Sequence, residues 1–374
     1  MRVVLTGGGT GGHIYPALSV AECLSGDEIL YIGTAEGPEA SLVPQAGVEF
    51  RTVASRKLSR KPTPGTLAAL AVSAWGVLQA VRLLRSWKPD VILGTGGYAS
   101  AGIMFGAALL RIPSMVHEAN VVPGRVNRLL ARFCTKVGIT YAASEQYFPP
   151  GKTVLTGLPV RPALLRADAE KARAQYGLRP DLPTLLVSGG SGGAQTLNRA
   201  VVEALAELAD AGVQVVHQTG KGHLESVVLQ ALRARPDFYH ALGYVDDMPA
   251  LMAAATVIVC RAGSSTLAEV TALGLPAIVV PYPYAVGDHQ TFNAKALSDA
   301  GAALMVRDAE LTGERLAAEV KSLLGDEKRL ESMREASRVQ GKPHAAEHVA
   351  QLLRGMTTAR VGRTDPQISQ ITQI

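Results

Sequence analysis

Residues 1–20 have the sequence MRVVLTGGGTGGHIYPALSV, in which a short apolar run leads through five glycines into a helix-like pattern. The same arrangement recurs in residues 184–198, TLLVSGGSGGAQTLN. A strand that passes through a glycine-rich turn into a helix is typical of the first unit of a doubly wound parallel sheet. Two such openings in one chain predict two domains of this kind.

Apolar runs alternate with helical patterns through both halves of the chain, and most of the runs are continuous in Val, Ile and Leu. Continuous runs are typical of parallel strands that helices cover on both faces. In the first half they predict strands at residues 3–6, 28–33, 48–53, 91–94, 114–117 and 136–140. In the second half they predict strands at residues 184–188, 213–218, 239–245, 257–260, 277–281 and 303–306. Prolines clustered between residues 149 and 162 mark the boundary.

Composition excludes several classes of protein. The chain has 374 residues, of which 47% are hydrophobic and 18% charged, so it is too apolar to be disordered. Its cysteines, Cys23, Cys134 and Cys260, lack the spacing of a disulfide framework or a zinc site. The most apolar window, residues 67–81, is shorter than the roughly 20 residues that a membrane-spanning helix needs. We therefore expect no signal peptide, no secreted disulfide scaffold and no integral membrane protein.

Positive charge is concentrated in residues 51–140. The whole chain carries a net charge of +5, but this segment alone carries +11 and the remainder −6. The segment has apolar residues at helical spacing, and it also contains both tryptophans and three neighbouring cations. This combination suits adsorption to an anionic membrane, and the tryptophans and cations are Trp75, Trp87, Arg82, Arg85 and Lys88. An amphipathic core helix with a solvated face is the alternative. The segment lacks the stacking motifs of a nucleic-acid surface.

Both glycine loops suit the oxygens of a phosphate or diphosphate, because they present backbone N–H groups at the start of a helix. The first loop offers four candidate contacts, which are Gly9, Thr10, Gly11 and Gly12. The second offers backbone, hydroxyl and amide groups at Gly190, Ser191 and, one helical turn beyond the loop, Asn198.

A dinucleotide site is an alternative use of the first loop. Gly7, Gly9 and Gly12 fit the pattern G-x-G-x-x-G. The acidic residue that such a site needs for the ribose would be Glu36, which lies late in the second predicted strand–loop unit. An NAD-dependent oxidoreductase is therefore retained as an alternative.

His13 follows the first glycine loop where a helix begins. A helix N-terminus disfavours the imidazolium cation, so a neutral imidazole there is a candidate general base. His117-Glu118-Ala119-Asn120 follows another predicted strand and adds Glu118 and Asn120 as catalytic candidates. A capping role for His13 and a structural hydrogen-bond network at Glu118 are the alternatives.

Further polar candidates lie in the link and in the second half. The turn Cys260-Arg261-Ala262-Gly263-Ser264-Ser265-Thr266 leads into a helix that carries Glu269, whose carboxylate suits the vicinal hydroxyls of a ribose. Asp288-His289-Gln290-Thr291 offers hydrogen-bonding groups for a neutral polyol such as a sugar ring. Arg161, in the interdomain link, can clamp a diphosphate.

Together these segments resemble one family over roughly residues 1–355. Several motifs in matched order are far more specific than any single motif. They are GGTGGHIYPA (8–17), GTGGYAS (94–100), HEAN (117–120), GGSGGA (189–194), CRAG (260–263) and DHQT (288–291). The family is MurG, the bacterial lipid-linked N-acetylglucosaminyl transferases that make the peptidoglycan precursor lipid II.

The resemblance implies a GT-B fold, in which two Rossmann-like, doubly wound α/β domains face each other across a cleft. It implies an acceptor-binding and membrane-associating domain at residues 1–160 and a domain that binds UDP-N-acetylglucosamine (UDP-GlcNAc) at residues 161–342. A C-terminal helix at about residues 343–356 would pack back on the first domain. Residues 357–374 would form a flexible tail.

The resemblance also implies residue roles. On the donor side, Tyr244 and Val245 would contact the uracil, Glu269 the ribose, and Ser191 and Arg161 the diphosphate. The sugar and phosphate region would meet Ser264, Ser265, Thr266, His289 and Gln290. On the acceptor side, the first glycine loop would bind the diphosphate of lipid I.

The implied reaction is an inverting transfer of GlcNAc to the C4 hydroxyl of the N-acetylmuramoyl unit of lipid I, with His13 as the first candidate base and Glu118 as the second. Asn120 would orient the acceptor, and we expect no metal and no other cofactor. Expected partners are UDP-GlcNAc, lipid I, the anionic cytoplasmic face of the cell membrane and a cell-wall synthesis complex, but no nucleic acid. Alternatives are another UDP-sugar enzyme of this fold, such as an epimerase or a transferase with a soluble acceptor, and a non-catalytic membrane scaffold.

Overall fold

The structure, a computed structural model, describes residues 1–56, 64–231 and 238–364, with the side chains of residues 64–68 and 358–364 outside the description. The described chain forms two compact units. One consists of Met1–Arg161 and the residues from His344 onward, and the other of Pro162–Pro343. Each unit contains a parallel sheet, which confirms the prediction of two doubly wound α/β domains.

In the described part of the first unit, seven parallel strands form one sheet in the order β3-β2-β1-β4-β5-β6-β7. The strands are β1 (Arg2–Thr6), β2 (Glu28–Gly33), β3 (Glu49–Thr52), β4 (Val91–Gly94), β5 (Ser114–Glu118), β6 (Lys136–Ile139) and β7 (Thr153–Leu155). The helices between them are α1 (Gly11–Glu22), α2 (Glu39–Gln45), α3 (Pro64–Trp87), α4 (Tyr98–Leu109) and α5 (Arg125–Leu130).

The order of strands places two loops side by side in this unit. β1 pairs with β2 on one side and with β4 on the other, so the direction of strand addition reverses between β1 and β4. Ligands of doubly wound sheets bind at such a switch point, beyond the carboxyl ends of the strands. The first glycine loop follows β1, and the loop with Gly96 and Gly97 follows β4.

In the described part of the second unit, six parallel strands have the order β10-β9-β8-β11-β12-β13. They are β8 (Thr184–Ser188), β9 (Gln214–Gln218), β10 (Tyr239–Leu242), β11 (Val257–Cys260), β12 (Ala277–Val279) and β13 (Ala303–Met305). The helices are α6 (Pro162–Leu165), α7 (Ala169–Gln175), α8 (Gln195–Asp210), α9 (Leu224–Ala231), α10 (Met248–Ala254), α11 (Ser264–Leu273), α12 (His289–Asp299), α13 (Gly313–Leu324) and α14 (Glu327–Gln340). The switch point between β8 and β11 lies beside the second glycine loop.

The last helix, α15 (Ala345–Thr364), packs in the first unit. Its buried face joins the core around α1, with Val349 and Leu353 fully enclosed. Arg354 donates to the Asp27 carboxylate at 3.0 Å, and the amino group of Met1 donates to the same carboxylate at 2.8 Å. The helix continues past the end near residue 356 that the sequence suggests. A flexible tail was expected at residues 357–374; residues 357–364 belong to α15, and residues 365–374 lie outside the described residues.

The strand predictions differ from the structure in two places that matter for function. β7 was missed, because three residues beside a proline-rich segment are too short to form a recognisable apolar run. β10 ends at Leu242, so Tyr244 and Val245 lie in the loop after the strand rather than in the strand. Among the described residues, no helix combines the length and apolar character needed to span a bilayer.

Candidate active site

The loops after β1 and β4 interlock. The Gly8 amide donates to the Gly96 carbonyl at 3.3 Å. The Thr95 hydroxyl donates to the His13 carbonyl at 2.6 Å. Gly97 has a φ of +84°, and a Cβ there would overlap the Gly8 carbonyl oxygen. These two loops therefore hold each other in one arrangement, and glycine is required where they touch.

A fully buried carboxylate lies beneath the first glycine loop. Glu39, the first residue of α2, accepts hydrogen bonds from the Gly9 amide at 3.1 Å and from the Thr34 amide and hydroxyl at 3.1 and 2.6 Å. Its carboxylate occupies the space where a Cβ on Gly8 or Gly37 would lie. Glu39 thus holds the first glycine loop in place. The sequence did not indicate this role, because nothing local distinguishes Glu39 from an ordinary acidic residue at the start of a helix.

The four loop residues predicted to meet a diphosphate are not equivalent. The Gly9 amide is taken by Glu39, whereas Thr10 is exposed and precedes α1 as its N-cap residue. Gly11 and Gly12 are the first two residues of α1, and the first amides of a helix have no acceptor within the helix. No acidic residue lies in the first turn of α1. The N-terminus of α1 therefore suits an anion best at Thr10, Gly11 and Gly12.

A hydrogen bond to the backbone fixes the tautomer of His13. Nδ1 lies 2.9 Å from the Thr95 carbonyl oxygen, which can only accept, so Nδ1 carries the proton and donates. In the neutral ring the lone pair is then on Nε2. This is the arrangement that a general base needs, with a carbonyl behind Nδ1 to stabilise the imidazolium that forms.

Glu118 lies at the end of β5 and is the acceptor of four hydrogen bonds. Oε1 accepts from the amide and the side chain of Asn120 at 2.9 and 3.1 Å, and Oε2 accepts from the Gly124 amide at 3.1 Å and from Asn127 Nδ2 at 2.8 Å. Burial raises the pKa of the Glu118 carboxyl, and these hydrogen bonds oppose that rise. These hydrogen bonds therefore hold residues 118–127 around the carboxylate.

Asn127 belongs to this network and lies near His13. It is buried on α5 and also donates to the His117 carbonyl at 3.2 Å. A Cβ built on Gly96 would lie 3.1 Å from His13 Nδ1 and 3.4 Å from Asn127 Nδ2, so these groups flank the same glycine. The catalytic candidates His13, Glu118 and Asn120 therefore lie at the ends of β1 and β5, and the structure adds Asn127, which no sequence motif marked.

His117 has a structural environment. Its Nε2 donates to the Gly157 carbonyl at 2.8 Å and lies 3.0 Å from the Thr156 hydroxyl, while Nδ1 is buried with no hydrogen-bond partner in the described part of the chain. Complete burial lowers the pKa of His117 to about 4, so the ring is neutral. It ties β5 to the turn after β7.

Arg161 packs against α1. Its guanidinium carbon lies 5.5 Å from the centre of the Tyr15 ring, a cation–π contact. A Cβ on Gly11 would lie 3.1 Å from Tyr15 Cε2, so this ring neighbours the first glycine loop. Arg161 therefore lies within the first unit, near the N-terminus of α1.

The second glycine loop follows β8, and Gly190 and Ser191 are exposed at its tip. The Gly193 amide donates to the Gly190 carbonyl at 3.0 Å, which closes the turn before α8. Asn198 behaves differently from these two residues. It is buried, with Nδ2 donating to the Thr219 carbonyl at 3.0 Å and Oδ1 lying 3.0 Å from His217 Nε2. The structure thus places Asn198 beneath the loop, where it holds the turn after β9.

The first turns of α11 carry four residues that were predicted to bind the donor substrate. Ser264 is buried and its hydroxyl oxygen accepts from Asn293 Nδ2 at 3.2 Å. The Ser265 hydroxyl is buried without a hydrogen-bond partner among the described residues, so it has bonding capacity for a ligand. Thr266 and Glu269, half-buried, follow on the same helix.

His289 and Gln290 begin α12 after the strap of residues 281–288. His289 Nδ1 lies 2.8 Å from the Val286 carbonyl, and Gln290 Oε1 accepts from the Tyr282 amide at 2.9 Å. The strap is also held by Arg261, which donates to the Val280 and Pro281 carbonyls and pairs with Asp308. Tyr244, 40% exposed, and buried Val245 follow β10.

The predicted membrane strip lies on α3. Leu70, Trp75 and Leu78 are about half exposed, and the Arg82 guanidinium carbon lies 5.7 Å from the Trp75 ring centre. Together with exposed Arg85, these residues are called the α3 face. Trp87 does not belong to it, because that ring is buried in the core and covered by Arg2 at 4.8 Å. Lys88 is exposed just beyond the helix, whereas Lys57, Arg60, Lys61 and the Leu67 side chain lie outside the described residues.

Family models match both units. The glycosyltransferase family 28 N-terminal domain matches residues 3–139, and its C-terminal domain matches residues 184–349. Among solved structures, MurG of Acinetobacter baumannii is 30% identical, covers 95% of this chain and 99% of its own, and superposes with a TM-score of 0.76. A UDP-GlcNAc 2-epimerase from Neisseria meningitidis, 14% identical with a TM-score of 0.69, shares the fold alone.

Curated relatives match over nearly the whole chain. A protein of Desulfitobacterium hafniense is 44% identical over 94% of this chain and 98% of its own length, and one of Desulforudis audaxviator is 40% identical over the same shares. Both bear the name UDP-N-acetylglucosamine--N-acetylmuramyl-(pentapeptide) pyrophosphoryl-undecaprenol N-acetylglucosamine transferase. With this degree of similarity and its two parallel-sheet units, the chain has the GT-B fold and belongs to the MurG family of glycosyltransferase family 28.

Proposed function

We propose that this glycosyltransferase moves GlcNAc from UDP-GlcNAc to the C4 hydroxyl of the N-acetylmuramoyl unit of lipid I, forming the β(1→4) link of lipid II. The names and coverage of its relatives support the substrates. The observation that carries the chemistry is the orientation of His13, whose Nδ1 donates to the Thr95 carbonyl beside the N-terminus of α1. An acceptor diphosphate bound there brings its attached sugar to a histidine with a lone pair on Nε2.

The reaction is a single in-line displacement. The acceptor oxygen attacks the anomeric carbon of GlcNAc while the bond from that carbon to the UDP oxygen breaks, and UDP leaves with the bonding electrons. The acceptor proton passes to His13 Nε2, so the Thr95 carbonyl then faces an imidazolium. One displacement converts the α linkage of the donor to the β linkage of the product, as in an inverting glycosidase with a sugar hydroxyl in place of water.

Glu118 is a weaker candidate for the base. Its two oxygens already accept four hydrogen bonds from Asn120, Gly124 and Asn127. A carboxylate held in this way positions its loop more readily than it accepts a proton from a substrate. We propose that Glu118 orients Asn120 toward the acceptor and Asn127 toward the loop that holds His13.

The donor contacts, apart from Arg161, lie in the second unit. We propose that Tyr244 and Val245 bind the uracil, Glu269 the ribose, and Ser191 with the amide of Gly190 the diphosphate. Ser264, Ser265, Thr266, His289 and Gln290 take the sugar and phosphate region, and the unsatisfied Ser265 hydroxyl supports this part of the site. Arg161 adds a cation for the diphosphate, and Asn198 acts indirectly by holding the turn after β9. Preorganised hydrogen-bond donors and cations of this kind stabilise the negative charge that develops on the leaving UDP.

The α3 face suits binding to a membrane, and lipid I is a membrane-bound substrate. Half-exposed Trp75, Leu70 and Leu78 beside Arg82 and Arg85 favour peripheral binding to an anionic bilayer. We propose that this face meets the cytoplasmic side of the cell membrane, where the enzyme serves a cell-wall synthesis complex.

Transfer of labelled GlcNAc from UDP-GlcNAc to a lipid I analogue with a shortened prenyl chain tests the proposal. We expect UDP and a β(1→4)-linked disaccharide product in equal amounts. Conversion of UDP-GlcNAc to its 2-epimer without transfer, or tight binding of NAD without binding of UDP, would overturn it.

A further inference from the structure

A turn outside every predicted motif closes against the second glycine loop. Thr219, Gly220 and Lys221 follow β9, and the Lys221 amide donates to the Ser191 carbonyl at 3.3 Å. Gly220 has a φ of +95°, and a Cβ there would overlap the backbone of Gly193. Contacts this close leave the turn little freedom, so the position of the Lys221 backbone relative to Ser191 is fixed by the fold.

The side chain of Lys221 extends from this turn to Tyr244. Its ammonium nitrogen lies 4.2 Å from the centre of the Tyr244 ring. The residue therefore connects the tip of the glycine loop to the aromatic ring that follows β10. Both Lys221 and Tyr244 are exposed, so the ammonium is accessible to a ligand.

The charge of Lys221 is not neutralised within the part of the chain that the structure describes, where no carboxylate forms an ion pair with it. Arg261, the cation at the end of β11, differs in this respect. It pairs with Asp308, donates to two carbonyls and covers Tyr282. Of these two cations, Lys221 is the one with its charge available.

We propose that Lys221 binds the diphosphate of the donor nucleotide. This inference rests on the proposed function, in which Ser191 meets the diphosphate and Tyr244 the uracil. A diphosphate between those two contacts lies within reach of the ammonium, which is a compact charge with three donors and binds phosphate oxygens well. In the reaction, the same ammonium stabilises the negative charge that UDP gains as it leaves.

Calorimetric titration of UDP and of uridine against Lys221→Met separates charge from packing. The Met side chain keeps the length and apolar contact with Tyr244 but removes the charge. We expect the dissociation constant of UDP to rise about tenfold, since a charge-assisted contact of this kind contributes about one power of ten, and that of uridine to stay constant. Lys221→Arg should restore most of the UDP affinity. Lys171→Met, an exposed lysine of α7 in the same unit, is the matched control.

Two outcomes would overturn the inference while leaving the proposed function intact. Equal losses for UDP and uridine would mean that Lys221 only supports the Tyr244 ring. Unchanged UDP binding in Lys221→Met would mean that it does not touch the diphosphate. If the wild-type chain fails to bind UDP at all, the proposed function fails and this inference fails with it.

Discussion

The tautomer of His13 gives a sharp prediction at the scale of one residue. With Nδ1 donating to Thr95, loss of the imidazole removes the proton acceptor but leaves the amides of α1 in place. His13→Ala should lower kcat roughly 10²–10⁴-fold, the usual contribution of a positioned base, with little change in UDP affinity. Steady-state kinetics and calorimetry measure the two quantities.

A matched control for this prediction is His344→Ala, at an exposed histidine that pairs with Glu347. It should have wild-type kinetics. If Glu118→Gln abolishes transfer while His13→Ala stays near normal, the base has been assigned to the wrong residue.

The contact between the loops after β1 and β4 depends on the absence of a side chain at Gly97. Ala at position 97 must adopt a positive φ, which costs about 1–2 kcal/mol, and its Cβ overlaps the Gly8 carbonyl, which adds about 1–3 kcal/mol. Gly151 also has a positive φ, but a Cβ there meets no atom within 4 Å among the described residues. In urea denaturation, Gly97→Ala should therefore destabilise the protein clearly more than Gly151→Ala. Equal effects would show that the loops do not depend on this contact.

Glu39 and Asn127 show what residue-level sequence reading could not provide. An acidic residue at the first position of a helix and an asparagine within an arginine-rich helix are both ordinary on a linear chain. Glu39 is important because it holds the amide of Gly9, 30 residues away. Asn127 is important because it lies beside the same glycine as His13. By contrast, the sequence marked His13 and Glu118 as candidates, because strand ends and glycine loops are local signals.

At the scale of secondary-structure elements, α15 is integral to the first unit although it is last in the chain. Leu353 is fully buried in the cluster that α15 shares with α1 and β1. Leu353→Ala should lower the free energy of unfolding by about 2–5 kcal/mol. Leu229→Ala on α9, where the leucine is 61% exposed, should change it by less than about 1 kcal/mol. Similar effects of the two substitutions in urea titrations would contradict this packing.

The α3 face makes a prediction for membrane binding. Replacing Arg82, Arg85 and Lys88 by Glu should sharply reduce sedimentation with vesicles that contain anionic lipid, because each basic residue near such a surface contributes about 1 kcal/mol. Glu at Lys171, Arg179 and Lys295, which are exposed residues of the second unit, is the charge-matched control. Unchanged sedimentation of the first variant would mean that this is an ordinary solvated helix face.

The helix also shows where periodicity stops being informative. Helical spacing predicted an apolar strip with Leu70 and Leu78 near Trp75, and the structure leaves these three residues about half exposed. Trp87 was grouped with them but is buried against Arg2. Spacing defines a face of a helix, whereas the neighbours that cover that face are set by tertiary packing.

At the scale of the whole molecule, two buried histidines predict how stability depends on pH. Burial lowers the pKa of His117 to about 4 and that of His217 to about 3, from about 6.5 in the unfolded chain. Below pH 6.5 the unfolded chain binds protons that the folded chain does not, so stability falls as the pH drops. Between pH 7 and pH 5 each histidine should contribute a loss of roughly 2 kcal/mol, measurable by urea denaturation.

Glu118 acts in the opposite direction over part of this range. Its pKa is raised on folding, so the folded chain binds a proton there before the unfolded chain does. With two histidines against one carboxyl, we expect a net loss of stability on acidification. His217→Gln, which removes one of the two contributions, should have a shallower dependence on pH. Equal stability of the wild-type chain at pH 5 and pH 7 would refute this account.

The sequence by itself determined the two doubly wound sheets, the two glycine loops and the catalytic candidates, because continuous apolar runs and clustered glycines are local properties of the chain. Only the tertiary structure decided which residues meet at those loops. β1 lies next to β4 and β8 next to β9, so Gly8 touches Gly96 and the turn after β9 reaches Ser191. The order of strands brings together residues far apart in the chain. The buried carboxylate of Glu39, the position of Asn127 near His13 and the placement of Lys221 all follow from it.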